Sequence, residues 1–181
     1  METPIVFLDV DGVLVHQHYE NQDTCDIHPD KVRLLKHICD TTHASVVIIS
    51  SWRGGTDWTP NMYHVLRQIL ADADIPVLGD APHIDGELLH AKDKPRVSGT
   101  IEELTHDYTF AYGTGRAAEV QAYLKEHPTP SFVILDDEDW CWKDYGYHTH
   151  WVRPSWFVDA LTEQHAEQAI RILQHKMEVT T

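Results

Sequence analysis

Ile5-Val6-Phe7-Leu8-Asp9-Val10-Asp11-Gly12-Val13-Leu14 is the stretch on whose reading the fold turns. Its first four residues are all apolar, which marks a strand buried on both faces in a parallel sheet rather than a half-exposed, alternating one. The run stops at two aspartates one residue apart, then a glycine. Carboxylates just beyond a buried strand add nothing to packing and repel each other unless a cation lies between them. In open α/β sheets, ligands bind at the carboxyl ends of the strands. The stretch therefore predicts a divalent-cation site with one carboxylate spare for chemistry. A solvated acidic turn is the plainer alternative.

Working outward, two further apolar runs match the first: Ser45 to Ser50 and Ser131 to Leu135. Both read as buried strands, and a short strand is expected around Pro76 to Gly79. Between them lie helical segments. Pro29-Asp30 opens one, with Val32, Leu34, Leu35 and Ile38 partly on a helical period. Thr59 and Pro60 start another, as N-cap and first helical residue, and it continues through Met62, Val65, Leu66, Ile69 and Leu70. A third runs from about Arg116 to Lys125, with Ala117, Val120, Tyr123 and Leu124 on one face. A strand at about His148 to Val152 and a helix from Thr162 to Gln174 complete the pattern. Strands alternating with helices predict an α/β fold, a Rossmann-like parallel sheet with helices on both faces. We read residues 1–181 as a single domain, with a polar flap at about 15–28. Residues 80–112, rich in Pro and Gly, are the least legible part, and a small insertion with a strand at Tyr108 to Tyr112 is expected there.

The chain carries 29 acidic against 14 basic residues, a formal charge of −15. Such a surface does not steer toward long nucleic-acid backbones, whose binding needs Lys and Arg against phosphates. A nucleotide or a nucleic-acid end remains compatible. No basic segment precedes a longer apolar run, and no run is long enough to span a bilayer, so neither a signal peptide nor a membrane is expected. Cys25, Cys39 and Cys141 are too irregularly spaced for a disulfide framework or zinc knuckle, which makes a reducing cytoplasm the default compartment. Oligomeric state is not legible.

Three buried strands thus end in polar groups suited to phosphate: Asp9 and Asp11; Ser50-Ser51-Trp52-Arg53; and Asp136-Asp137-Glu138-Asp139. Asp9-Val10-Asp11-Gly12-Val13 resembles the first motif of the haloacid-dehalogenase (HAD) superfamily. The second strand end resembles its second motif, which places the hydroxyl role on Ser50, with Ser51 as alternate. The third resembles its fourth motif, which implies Asp137 as metal ligand and Asp136 as second candidate. Where the family usually carries a lysine, Gly113-Thr114-Gly115-Arg116 offers Arg116, a planar fork instead of a point charge; Lys92 and Lys94 are fallbacks. Ile49 to Arg53, Gly115 to Leu124, Val133 to Asp137 and Ala160 to Ile170 together resemble a small HAD family found alone and within multidomain RNA-repair proteins.

The resemblance implies a capless or minimally capped phosphomonoesterase using Mg²⁺, a hard cation that Asp9, Asp11 and Asp137 would hold. Asp9 would attack phosphorus to give an aspartyl-phosphate, with Asp11 as acid and then base. The partner is a phosphorylated substrate, either a small molecule or a nucleic-acid end. A phosphotransferase of the same fold, or a non-catalytic phosphate- or metal-binding module, is the alternative.

Other features invite roles. Ser51, Trp52 and Arg53 sit by position at the mouth and are expected to contact substrate. His16/His18 and His148/His150 have a spacing that puts both rings on one face of a strand, yet no third ligand completes either set, so they read as surface or flap histidines. Trp140-Cys141-Trp142 reads as loop packing over the core, with base stacking as the rarer use.

Overall fold

The computed structural model describes residues 3–54, 61–85, 88–90, 108–110, 113, 115–129 and 131–178. Five strands form one all-parallel sheet: β1 (Ile5–Leu8), β2 (Ser45–Ile48), β3 (Val77–Asp80), β6 (Phe132–Leu135) and β7 (Trp151–Val152), in the order β3-β2-β1-β6-β7. Two more, β4 (Leu88–His90) and β5 (Tyr108–Phe110), pair antiparallel as a separate ribbon, which is what the described residues show of the segment at 80–112. Lys92 and Lys94 lie outside the described residues.

Among the described residues four helices cover the sheet: α1 (Pro29–Thr42), α2 (Met62–Asp72), α3 (Gly115–Glu126) and α4 (Glu163–Glu178). Alternation within each buried strand divides the core. Val6, Leu8, Val46, Ile48, Val133 and Leu135 face α1, α2 and α4, against Leu35, Leu66 and Leu173. Ile5, Phe7, Val47, Phe132 and Ile134 face α3, against Ala117 and Val120. This is the doubly covered parallel sheet the apolar runs predict.

Chain direction makes the topology useful. From β1 the chain crosses through α1 to β2 and through α2 to β3, always outward on one face. It then returns through α3, on the other face, to place β6 on the opposite side of β1. The crevice beside β1 is therefore the point where strand order reverses, the place such sheets bind ligands. Register brings the three strand ends level there: Leu8 lies beside Ile48 and Leu135. Asp9 N–H continues the ladder to Leu135 O at 2.9 Å, and Ile49 N–H to Leu8 O at 2.9 Å.

Several expectations need correction. β7 is only two residues long, because 148–150 form a turn in which His150 N–H bonds Tyr147 O. His150 is buried, stacked on Phe132 at 4.1 Å with Nδ1 against Phe132 O. His16, within the expected flap segment, is buried too, its ring centre 5.6 Å from that of His28. Thr59 and Pro60 lie outside the described residues, and α2 is described from Met62 with Asn61 at its cap position. His28 supplies the α1 cap that the sequence did not show, its Nδ1 accepting from Asp30 N–H at 3.1 Å. Trp142 is fully buried, as loop packing requires, with Nε1 bonded to Glu138 O. The three cysteines are free thiols. Among the described residues no helix is long and apolar enough to cross a membrane.

Candidate active site

Alternation carried one step past the strands decides where the acids go. Asp9 follows Phe7 in phase, and Asp136 follows Ile134, so both side chains leave the sheet on the α3 face. Arg116 stands in the first turn of α3, on that same face. Its Nη1 reaches Asp9 Oδ2 at 2.6 Å and Asp136 Oδ2 at 2.8 Å. The Trp140 ring lies 4.6 Å below its guanidinium carbon, which fixes the plane of the fork. Asp136 Oδ1 accepts Glu138 N–H at 2.9 Å. Arg116 is buried, and the two carboxylates hold it charged, its pKa raised against the opposing push of burial.

Asp137 is out of phase with Asp136 and goes the other way, onto the loop after β1. Gly12 has φ +70° there, and a Cβ at that position would collide with the Asp137 carboxylate. Glycine is required twice over, for the turn and for the approach. Gly12→Ala is expected to destabilise the fold by about 1–2 kcal/mol from backbone conformation alone, and to blunt any rise in Tm caused by added Mg²⁺ because Asp137 must move. Thermal scans with and without Mg²⁺ check both effects.

Asp9, Asp136 and Asp137 each offer an oxygen within 4.8 Å of the others. Asp11, expected from sequence to join them as a ligand, lies outside this group of three, and its Oδ2 accepts the Trp52 indole N–H at 2.9 Å. Trp52 is buried by this contact instead of standing at the mouth. Arg53 is not at the mouth either. Within the 3-10 turn at Ser51–Gly54 it forms a buried ion pair with Glu119 at 2.6 Å and donates to the carbonyls of Ile49, Ser50 and Ala81, at the ends of β2 and β3. Trp52 and Arg53, expected from position to contact substrate, are engaged here with protein groups. Ser51 is exposed, while Ser50 is fully buried, with Oγ accepting Trp52 N–H at 3.3 Å and its own proton left to give.

Crowded and largely desolvated acids resist ionisation. Burial first, and the Asp9 charge second, push Asp11 up to about 6 and Asp137 up to about 7. Asp136 is raised by the same two causes, against the pull of Arg116. Asp9 Oδ1 is buried and has no hydrogen-bond partner, although Asp9 is 1% exposed. An orphaned carboxylate oxygen beside two more carboxylates fits a hard cation that takes oxygen ligands.

This has a pH consequence. A carboxyl whose folded pKa lies above its unfolded value stabilises the fold fully below about pH 4, and loses that contribution as pH rises through the folded value. The metal-free protein is therefore expected to lose Tm between about pH 4 and 7, across the windows of Asp11 and Asp137. Mg²⁺ should raise Tm more at pH 8 than at pH 5, because protons compete for the same oxygens. Scanning fluorimetry across pH, with and without Mg²⁺, measures it.

Sequence reading missed Glu119, and it placed Trp140 in loop packing without its contact to Arg116. Glu119 lies one helical turn after Arg116, and burial of an acid within Ala117-Ala118-Glu119-Val120 was the available signal.

An all-parallel sheet with helices on both faces, and acids converging at its switch point, defines an α/β fold of the Rossmann-like kind. Residues 5–166 match the family model described as the HAD domain in Swiss Army Knife RNA repair proteins, and the chain belongs to that family. Membership points to chemistry of the phosphatase and hydrolase type, and HAD domains generally use Mg²⁺. Comparison with curated protein sequences gives no match.

Proposed function

We propose that this chain is a Mg²⁺-dependent phosphomonoester hydrolase that works through a phosphorylated Asp9. The observation that carries the reading is the buried, unpartnered Asp9 Oδ1 beside Asp136 and Asp137, with Arg116 on the other oxygen. Asp9, Asp137 and, less freely, Asp136 would hold Mg²⁺, which neutralises charge so that an anionic phosphate can approach a carboxylate.

The remaining work falls to the chain. A carboxylate oxygen of Asp9 bonds to phosphorus as the bond from phosphorus to the leaving oxygen breaks. Asp11 gives that oxygen a proton, for which its raised pKa of about 6 suits it near neutral pH. A water then attacks phosphorus, Asp11 takes its proton, and the Asp9 carboxylate and inorganic phosphate separate. Ser50 offers its hydroxyl proton to a phosphoryl oxygen, and Arg116 offsets the charge that accumulates. Trp52 orients Asp11 through its indole N–H. Substrates in keeping with the family are nucleotides, phosphorylated polynucleotide ends or other phosphate esters, and the reducing cytoplasm is the proposed setting.

The test is phosphate release from aryl phosphates, nucleotides, sugar phosphates and 3′- or 5′-phosphorylated oligonucleotides, each with Mg²⁺ and with chelator. Turnover that needs Mg²⁺, with an acid-trapped phosphoenzyme, is the expected result. Phosphate binding with no turnover across the panel would make the chain a non-catalytic module instead.

A further inference from the structure

Cations near the candidate site are mostly committed. Arg116 is shared by Asp9 and Asp136, Arg53 is paired with Glu119, and Lys31 holds Asp159 at 2.8 Å. Arg153 is different. It directly follows β7, at the carboxyl edge of the sheet, and is exposed. Its Nε donates to the main-chain oxygen of Asp137 at 3.0 Å, and its guanidinium carbon lies 5.5 Å from the centre of the Trp151 ring. Among the described residues it has no carboxylate within ion-pair distance.

Those two contacts orient the guanidinium and leave Nη1 and Nη2, the edge suited to a two-point bond with phosphate. Arg153 also borders a cavity of about 240 Å³, walled by Pro154, Ser155, Asp159, Thr162 and His165. The one acid in that wall, Asp159, is neutralised by Lys31, so the cavity does not repel an anion as the carboxylate cluster does.

We propose that Arg153 and this cavity form a subsite for a second phosphate group of the substrate, next to the phosphate held at Asp9. The inference rests on the hydrolase reading and deepens it. The favoured ligand is a phosphate monoester bearing another phosphate, whether a nucleoside bisphosphate or an oligonucleotide with a terminal phosphate. A neutral alcohol's phosphate would leave the subsite empty. A fixed cation there also gives a strongly acidic chain one local point of attraction for an anionic substrate.

The experiment compares wild type, Arg153→Gln and Arg153→Lys on p-nitrophenyl phosphate, a nucleoside 3′,5′-bisphosphate and a terminally phosphorylated oligonucleotide, with Mg²⁺. The quantity read is kcat/KM on each two-phosphate substrate divided by kcat/KM on the aryl phosphate. Arg153→Gln should lower that ratio about tenfold or more, through KM, as expected for a lost charged hydrogen bond, and Arg153→Lys should fall between. A fall with the bisphosphate and the oligonucleotide indicates a phosphate recognised as such; a fall with the oligonucleotide alone indicates a phosphodiester. An unchanged ratio with both overturns the subsite. Calorimetric binding of the bisphosphate to wild type and Arg153→Gln without Mg²⁺ decides the matter independently of turnover. Equal affinities overturn the proposal even for an active enzyme, and a tenfold loss upholds it even if no ester is hydrolysed.

Discussion

Asp9→Asn is expected to cut turnover of any phosphate ester by at least about 10³-fold, the scale of loss when a catalytic nucleophile is removed, while the chain stays folded. Asparagine fills the same space, and Arg116 keeps Asp136 as partner at 2.8 Å. What disappears is one negative charge in a crevice that holds too many. That charge is the second cause, after burial, of the raised pKa values of Asp11 and Asp137. Without it both move back toward the ordinary carboxylate range, and the metal-free variant should hold its Tm better than wild type as pH rises toward 8. The rise in Tm on adding Mg²⁺ should shrink at the same time, because the orphaned oxygen is no longer a carboxylate's. Phosphate release and paired thermal scans measure the two sides. Such opposition between stability and activity is usual where like charges are gathered for chemistry. Full activity in Asp9→Asn would remove the nucleophile assignment.

The sheet was legible because parallel strands buried on both faces leave uninterrupted apolar runs: Ile5 to Leu8, Val46 to Ile49 and Phe132 to Leu135 stand out without any partner in view. The acids at their ends were legible for a related reason, since such residues have no place in packing. Which way each acid points was not. Asp136 and Asp137 leave β6 in opposite phase yet bring oxygens within 4.8 Å of each other, and Asp11 Oδ2 is bonded by an indole 41 residues away in sequence. Arg53 shows the same limit. Position put it at the mouth, yet its partner Glu119 lies 66 residues on, in a helix across the sheet, and no local pattern encodes a tertiary ion pair. β7 was overextended because His148 and His150 carry strand-like alternation, while His150 is held in a turn by its bonds to Tyr147 and Phe132. Length matters less here than direction: even two residues of β7 suffice to set Arg153 beside Asp137.

Arg53→Ala should be the most destabilising of the single substitutions considered, by about 3–5 kcal/mol, the usual cost of breaking a buried ion pair from one side. The side chains of Arg53 and Glu119 are 7% and 3% exposed, so solvent screens the pair little. Removing the guanidinium leaves Glu119, among the described residues, with Ile84 N–H at 3.0 Å and the His83 ring to balance it. It also strips donors from the carbonyls of Ile49, Ser50 and Ala81, which the fork ties together at the ends of β2 and β3. Against a total stability of about 5–15 kcal/mol for a domain, that is a large share. Arg53→Lys should recover only part, since one ammonium cannot reach the positions that the planar fork spans. Glu119→Gln should cost a comparable amount, by leaving the Arg53 charge buried without its counterion. An apolar pair, Arg53→Met with Glu119→Leu, should be milder than either single change, because no charge is then left unpaired. Chemical denaturation of the four variants measures these differences. If Arg53 served substrate instead, Arg53→Ala would raise KM with unfolding free energy little changed, and the double variant would be no more stable than the single one. The fork would then have to release four protein acceptors before it could take a phosphate, a cost that Arg153, already exposed, does not incur.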